Sequence, residues 1–118
     1  MTKKLGDKGE NIALNYLLKK KYTVLEKNYR ARRCEVDIIA QKKEMIIAIE
    51  VKTRNSDFLV EPWEAVNKLK QKKIITVMDV FLKKNNLNKN VRFDIISIIK
   101  QEKGYNIEHI KNAFYPTA

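Results

Sequence analysis

Apolar residues recur along this 118-residue chain with two periods, and the changes of period mark out its elements. Ala13, Leu14 and Leu17 fall at three-and-four spacing and predict a helix over 8–20, with Asp7 as N-cap and Glu10 on the apolar face. From Tyr22 the pattern shortens. Residues 22–29 and 35–40 read as strands, the second alternating charged and apolar side chains. A third strand over 45–53 begins apolar and ends in Glu50-Val51-Lys52. A polar loop over 54–61 leads to Pro62, suited to the first turn of a helix running to about Lys84 on a stripe of Val66, Ile74, Val77 and Phe81. The β-branched run 91–99 is a fourth strand, and 105–110 offers an extra edge strand. Gly6, Gly9, Gly104, Pro62 and Pro116 fall near the edges of these segments. The order is α-β-β-β-α-β. Its long helix between the third and fourth strands suits a right-handed crossover to a parallel neighbour. The expected class is α/β, a mixed central sheet flanked by helices, in a single domain over 1–118.

Charge narrows the choice of partner. Lys and Arg number 25 against 14 Asp and Glu, a formal net charge of +11. Such a chain draws polyanions: nucleic acid, an anionic membrane or an acidic protein. Surplus lysine that serves only solubility is the competing explanation, since lysine marks specific phosphate contacts less sharply than arginine. Cys34 is the one cysteine, which excludes an intramolecular disulfide and points to a reducing compartment. No local base accompanies it, so it reads as a small core residue. Residues 1–7 carry no apolar leader core, and the apolar stretch near 45–49 is far short of a membrane span. A cytoplasmic protein without a membrane partner is expected. With His109 the single histidine, a histidine-based metal site or triad has no support, and no glycine-rich phosphate loop suggests an NTPase.

The candidate chemistry lies in one hairpin. Pairing 34–40 with 46–52 around Lys43 and Glu44 sets Asp37 opposite Glu50 and Glu35 opposite Lys52. Opposed residues share a face, with β-carbons about 4.5–5.5 Å apart. One face then carries Glu35, Asp37, Glu50 and Lys52, and the other Val36, Ile38, Ala40, Ile47, Ile49 and Val51. A slip of one residue destroys this partition. Clustered carboxylates repel unless a cation sits between them, and hard carboxylate oxygens suit Mg2+ or Mn2+. Lys52 beside them can orient a water or offset charge developing on a phosphate. The alternative is a solvent-facing strand with Glu–Lys cross-strand pairs. Asp37 at the matching hairpin position, in so basic a chain, favours the metal site.

The run Gly9-Glu10, Asn28-Tyr29-Arg30, Glu35-Val36-Asp37-Ile38-Ile39-Ala40 and Glu50-Val51-Lys52-Thr53-Arg54 resembles the YraN family of small bacterial proteins. Ala65-Val66 leading to Lys70, and Arg92-Phe93-Asp94, fit the same pattern, so the likeness extends to about residue 100. That family is grouped with the restriction-endonuclease-like PD-(D/E)XK superfamily and is similar in outline to archaeal Holliday-junction resolvases. The resemblance implies that Asp37, Glu50 and Lys52 are the catalytic Asp, Glu and Lys. It implies that Glu10 is an additional metal ligand, and that Lys70 is the basic residue reaching the site from the following helix. Val36 stands in place of the superfamily's proline, and Cys34 where the family pattern usually has glycine.

Other residues keep two readings. Glu10 is a site acid or a first-turn helix acid favoured by the dipole. Lys70 reaches the site or snorkels to solvent. Arg30, Arg32 and Arg33 grip phosphates or form a solvated loop, and Arg54 adds a phosphate contact. Tyr29 and Trp63 are stacking candidates, though packing suits both better. Asp94 reads as structural. The expectation is an Mg2+- or Mn2+-dependent nuclease cleaving phosphodiester bonds in nucleic acid. DNA is favoured over RNA, branched or processed DNA above all, with a homodimer open as in resolvases. The alternative is a non-catalytic nucleic-acid-binding or adaptor module with the same fold.

Overall fold

A computed structural model describes residues 3–55 and 66–116. Its elements are α1 (Lys3–Lys19), β1 (Thr23–Ala31), β2 (Cys34–Lys42), β3 (Met45–Asn55), α2 (Lys68–Lys84), β4 (Val91–Lys100) and β5 (Tyr105–Phe114). The strands form one sheet in chain order, with β3 and β4 parallel and the other neighbours antiparallel. The mixed sheet flanked by two helices is thus the architecture expected of the sequence.

The helices cover opposite faces. Ile74, Val77, Met78 and Phe81 of α2 pack on Val36, Ile39, Ile46, Ala48, Phe93 and Ile95. Ala13 and Leu17 of α1 pack on Ile38, Ile47, Ile49, Ile96 and Ile98. A strand covered on both sides reads as a nearly continuous apolar run, which explains 45–49. Gly9 lets α1 come close: a β-carbon built there would stand 1.8 Å from Thr53 Oγ1. That approach carries Glu10 toward the hairpin.

Three boundaries differ from expectation. α1 begins at Lys3, so Asp7 lies inside it and is not its cap. Gly6 does not stop the helix, because an interior glycine costs only about 1 kcal/mol. α2 begins at Lys68, where the Asn67 side chain accepts a hydrogen bond from the Lys70 amide. Pro62 and Trp63 lie outside the described residues. β5 extends to Phe114, well past the predicted Ile110, because its far end has a partner in Phe93 of β4.

Candidate functional site

The hairpin register is the predicted one, from Lys42 opposite Met45 to Ile38 opposite Ile49. The ladder between β2 and β3 ends there. β2 continues alongside β1 to Cys34, whereas β3 continues alongside β4 to Asn55. The sheet therefore forks, and Asp37 and Glu50 stand in the fork. Side chains complete what the backbone abandons: the Val51 amide donates to Asp37 Oδ2 at 2.8 Å, and the Asp37 amide donates to Glu50 Oε1 at 3.5 Å.

This geometry corrects the expected two-faced hairpin. Val36 and Ile39 belong to the same α2-side core, whereas Ile38 and Ala40 belong to the α1 side. Alternation breaks once, at Asp37, because its carboxylate occupies the plane where a ladder partner would be. Opposite it in β1, Asn28 has a φ of 50°. The charged face is accordingly short. Ile39, Ile46 and Ala48 fill most of the α2 side, and charge is confined to its forked end.

Glu50 is only 3 % exposed. Burial drives its pKa up, the Asp37 charge adds to the rise, and Lys70 and Lys52 oppose it, leaving the carboxyl at about 8. Asp37 moves the same way, to about 6. Burial outweighs the Val51 hydrogen bond, Glu10 raises it further, Lys52 lowers it and Glu35 raises it slightly. The pair therefore titrates as a unit that resists carrying two negative charges.

The fold thus gathers Asp37, Glu50, Lys52 and Lys70 and brings Glu10 and Glu35 within electrostatic reach. Glu10 is not packed into the pair: its Oε1 accepts a hydrogen bond of 2.9 Å from Asn28 Nδ2, beside a cavity of about 150 Å³. Among the described residues, no group of three or more His, Cys, Asp or Glu side chains is arranged to hold a metal ion. Two carboxylates in the fork, with hard oxygens and raised pKa values, do fit a divalent cation's preference for oxygen donors. Ser97 borders the site on β4. It pairs with Lys52 across β3 and β4, and its buried Oγ has no hydrogen-bond partner among the described residues.

Arg30 is exposed on β1 opposite Glu35, and Arg32 and Arg33 form the two-residue turn before β2. That turn is about 13 Å of strand from Asp37. Arg54 lies on β3 past the fork, opposite Ile99. Tyr29 is not a stacking platform: its ring meets Phe81 edge-on in the core, at 5.3 Å. Cys34 is buried, as expected.

Asn28 and Ser97 are the site neighbours that pattern reading missed. An asparagine inside a strand, a poor strand former that tolerates positive φ, was the available signal for the first. Nothing local marks Ser97. His109 and Asp94 were also richer than read. Asp94 accepts from Arg92 Nε and Nη2 and from the Asn112 amide, and its Oδ2 lies 2.7 Å from His109 Nε2. His109 Nδ1 in turn meets the Tyr16 hydroxyl at 3.0 Å. Tyr16 is six residues from Glu10 along α1, about 9 Å of helix rise, so this network is separate from the fork.

No helix among the described residues is long and apolar enough to cross a membrane. Comparison with known sequences gives the lineage. The model of the family described as "Uncharacterised protein family UPF0102" matches residues 9–98, which include the whole fork. A UPF0102 protein of Clostridioides difficile is 48 % identical over 95 % of this chain and 97 % of the relative. Others from Alkaliphilus oremlandii and Parabacteroides distasonis are 44 % and 43 % identical, over 97 % and 94 % of this chain and 100 % and 92 % of the relatives. The chain therefore belongs to the UPF0102 family, the YraN-like proteins, related by fold to the PD-(D/E)XK superfamily.

Proposed function

We propose that the chain is an Mg2+- or Mn2+-dependent nuclease that hydrolyses phosphodiester bonds, with branched or processed DNA as its substrate. One observation carries this reading: buried Glu50 and half-buried Asp37 share the fork, and the nearby lysines and amide donors do not keep their pKa values from being raised. Proteins rarely keep such a pair without something cationic to bind. Asp37 and Glu50 would hold the ion, with Glu10 closing in as a further ligand. The bound ion would supply Lewis-acid polarisation of a phosphate and a more acidic water.

The chain's own groups do the rest. Lys52, between the two carboxylates electrostatically, orients the attacking water and offsets charge building on the phosphate. Lys70 from α2 approaches Glu50 and meets a phosphate oxygen from the other side. Arg30, Arg32, Arg33 and Arg54 engage flanking phosphates and set the register of the strand.

The test is cleavage. Labelled single-stranded, duplex, flapped and four-way-junction DNA, with RNA alongside, are incubated with Mg2+ or Mn2+ and wild type or Glu50→Ala. Cutting by wild type alone supports the reading; equal cutting by the variant ends it. A second reading, a binding module without turnover, draws on the absence of a preassembled three-ligand group among the described residues. Metal binding and nucleic-acid binding with no cleavage of any substrate would favour it.

A further inference from the structure

The outer side of α2 carries a groove that the fork does not use. It joins two cavities. One, of about 340 Å³, is lined by Lys68, Lys72, Ile75 and Tyr115 among others. The second, of about 260 Å³, is lined by Arg32, Lys72, Lys73 and Thr76. Lys72 and Thr76 line both, so the two are continuous. Neither has a carboxylate in its wall. Arg32, Lys68, Lys72 and Lys73 are exposed, and no ion pair among the described residues neutralises them. Tyr115 stands 64 % exposed at the rim, stacked on no other ring among the described residues.

A lysine-rich helix face is ordinarily just a solvated surface. This one is built against local preference. Lys68 and Lys72 are four apart, a spacing at which like charges repel. Arg32 and Arg33 have φ values of 52° and 60°, in a two-residue turn that favours Asn and Gly. Cations held unpaired at these positions, around an exposed aromatic ring, match a polyanion whose bases can stack. A duplex keeps its base faces inside the helix, so it could use the charges but not Tyr115 or Ile75.

We propose that this groove binds single-stranded nucleic acid, with the cations along the phosphates and Tyr115 stacked on a base. Groove and fork share a helix, since the charge of Lys70 on α2 reaches Glu50 from its other side. The substrate of the nuclease reading is then one with a single-stranded segment, a flap or a processed end. That extension rests on the nuclease reading, whereas the groove itself is read by binding alone.

The experiment uses the Glu50→Ala chain without metal, titrated into a labelled oligothymidylate and a labelled duplex of equal length while fluorescence anisotropy is followed. Lys72→Ser with Lys73→Ser is expected to weaken single-strand binding about tenfold or more and to flatten the log–log salt slope by about 1.4. Tyr115→Ala should cost about tenfold on the single strand and spare the duplex, and Tyr115→Phe should bind like the parent. No binding of either probe, undiminished binding by the lysine variant, or a Tyr115→Ala that loses nothing or loses equally on both probes overturns the proposal. If these binding effects hold while no substrate is ever cut, the nuclease reading falls and the groove stands. If the chain cuts DNA but these variants bind like the parent, the groove falls alone.

Discussion

Asp94 and Glu50 are buried on neighbouring strands of one sheet, 0 % and 3 % exposed, yet the protein treats them oppositely. Burial pulls the Asp94 carboxyl up, but hydrogen bonds from His109, Arg92 and the Asn112 amide, with the charge of Arg92, more than offset it, and its pKa is lowered. Glu50 shares its surroundings with another acid, and its pKa is raised. A carboxylate that serves structure is surrounded by donors. One with a single long amide bond, next to a second acid, is poised for a ligand the protein does not itself supply. Arg92 also donates to the Tyr22 hydroxyl at 3.0 Å, tying the loop after α1 to the same network.

The sharpest break of this contrast comes from truncating each acid. Asp94→Ala strands Arg92 and His109, and should cost about 3–5 kcal/mol of unfolding free energy by urea titration. That is a large share of a typical domain's stability. Glu50→Gln should do the reverse in metal-free buffer at pH 8, stabilising by about 1 kcal/mol, because it removes a charge the fold holds at a cost. A loss for Glu50→Gln comparable to that of Asp94→Ala would make the two acids alike and dissolve the comparison.

pH should pull the two regions in opposite directions. Asp37 and Glu50 release their protons near 4 when unfolded but only at about 6 and about 8 when folded. Between these limits the folded chain binds more protons, so the fork's contribution to stability is full below about 4 and is lost as pH rises toward 8. Asp94 has the opposite sign: its contribution is present above its unfolded pKa and is lost as pH falls through the lowered folded value. Melting temperature measured from pH 4 to 9 should therefore decline across the upper range without metal, and Mg2+ or Mn2+ should reduce that decline. A profile unchanged by either ion would count against metal at the fork.

The smallest expected effect concerns Asn28. Glycine accepts positive φ, so Asn28→Gly keeps the backbone of β1 but removes the amide held on Glu10. Stability should change by less than about 1 kcal/mol, whereas Mn2+ affinity by calorimetry should fall several-fold if Glu10 joins the ion. Asn28→Asp, which repels Glu10, should weaken affinity at least as much. Unchanged affinity in both variants would leave Asp37 and Glu50 as the whole site.

The fork and the Asp94 network differ also in how much of each the sequence disclosed. The short turn at Lys43 and Glu44 set the register of β2 and β3, so Asp37 and Glu50 could be placed opposite each other from spacing even though alternation breaks at Asp37. Lys52 followed from the strand period in the same way, whereas Lys70 came from the family resemblance. The divergence of the strands was hidden, because it depends on which neighbour each strand keeps beyond Ile38 and Ile49. Asp94 joins residues 15 and 18 positions away through the bulged end of β5, and Tyr16 meets His109 across 93 positions. No local period records such contacts.

What the sequence determined by itself is what short-range physics controls: the periods that make helices and strands, the hairpin register, the excess of positive charge and the presence of an acid–acid–lysine set. Tertiary structure alone decided the rest. It opened the sheet at Asp37, turned Glu10 toward Asn28, surrounded Asp94 with donors and left Glu50 without enough of them. The reason is that the cost of a charge depends on the water it loses and the partners it gains, and both are counted only once distant segments have closed around it.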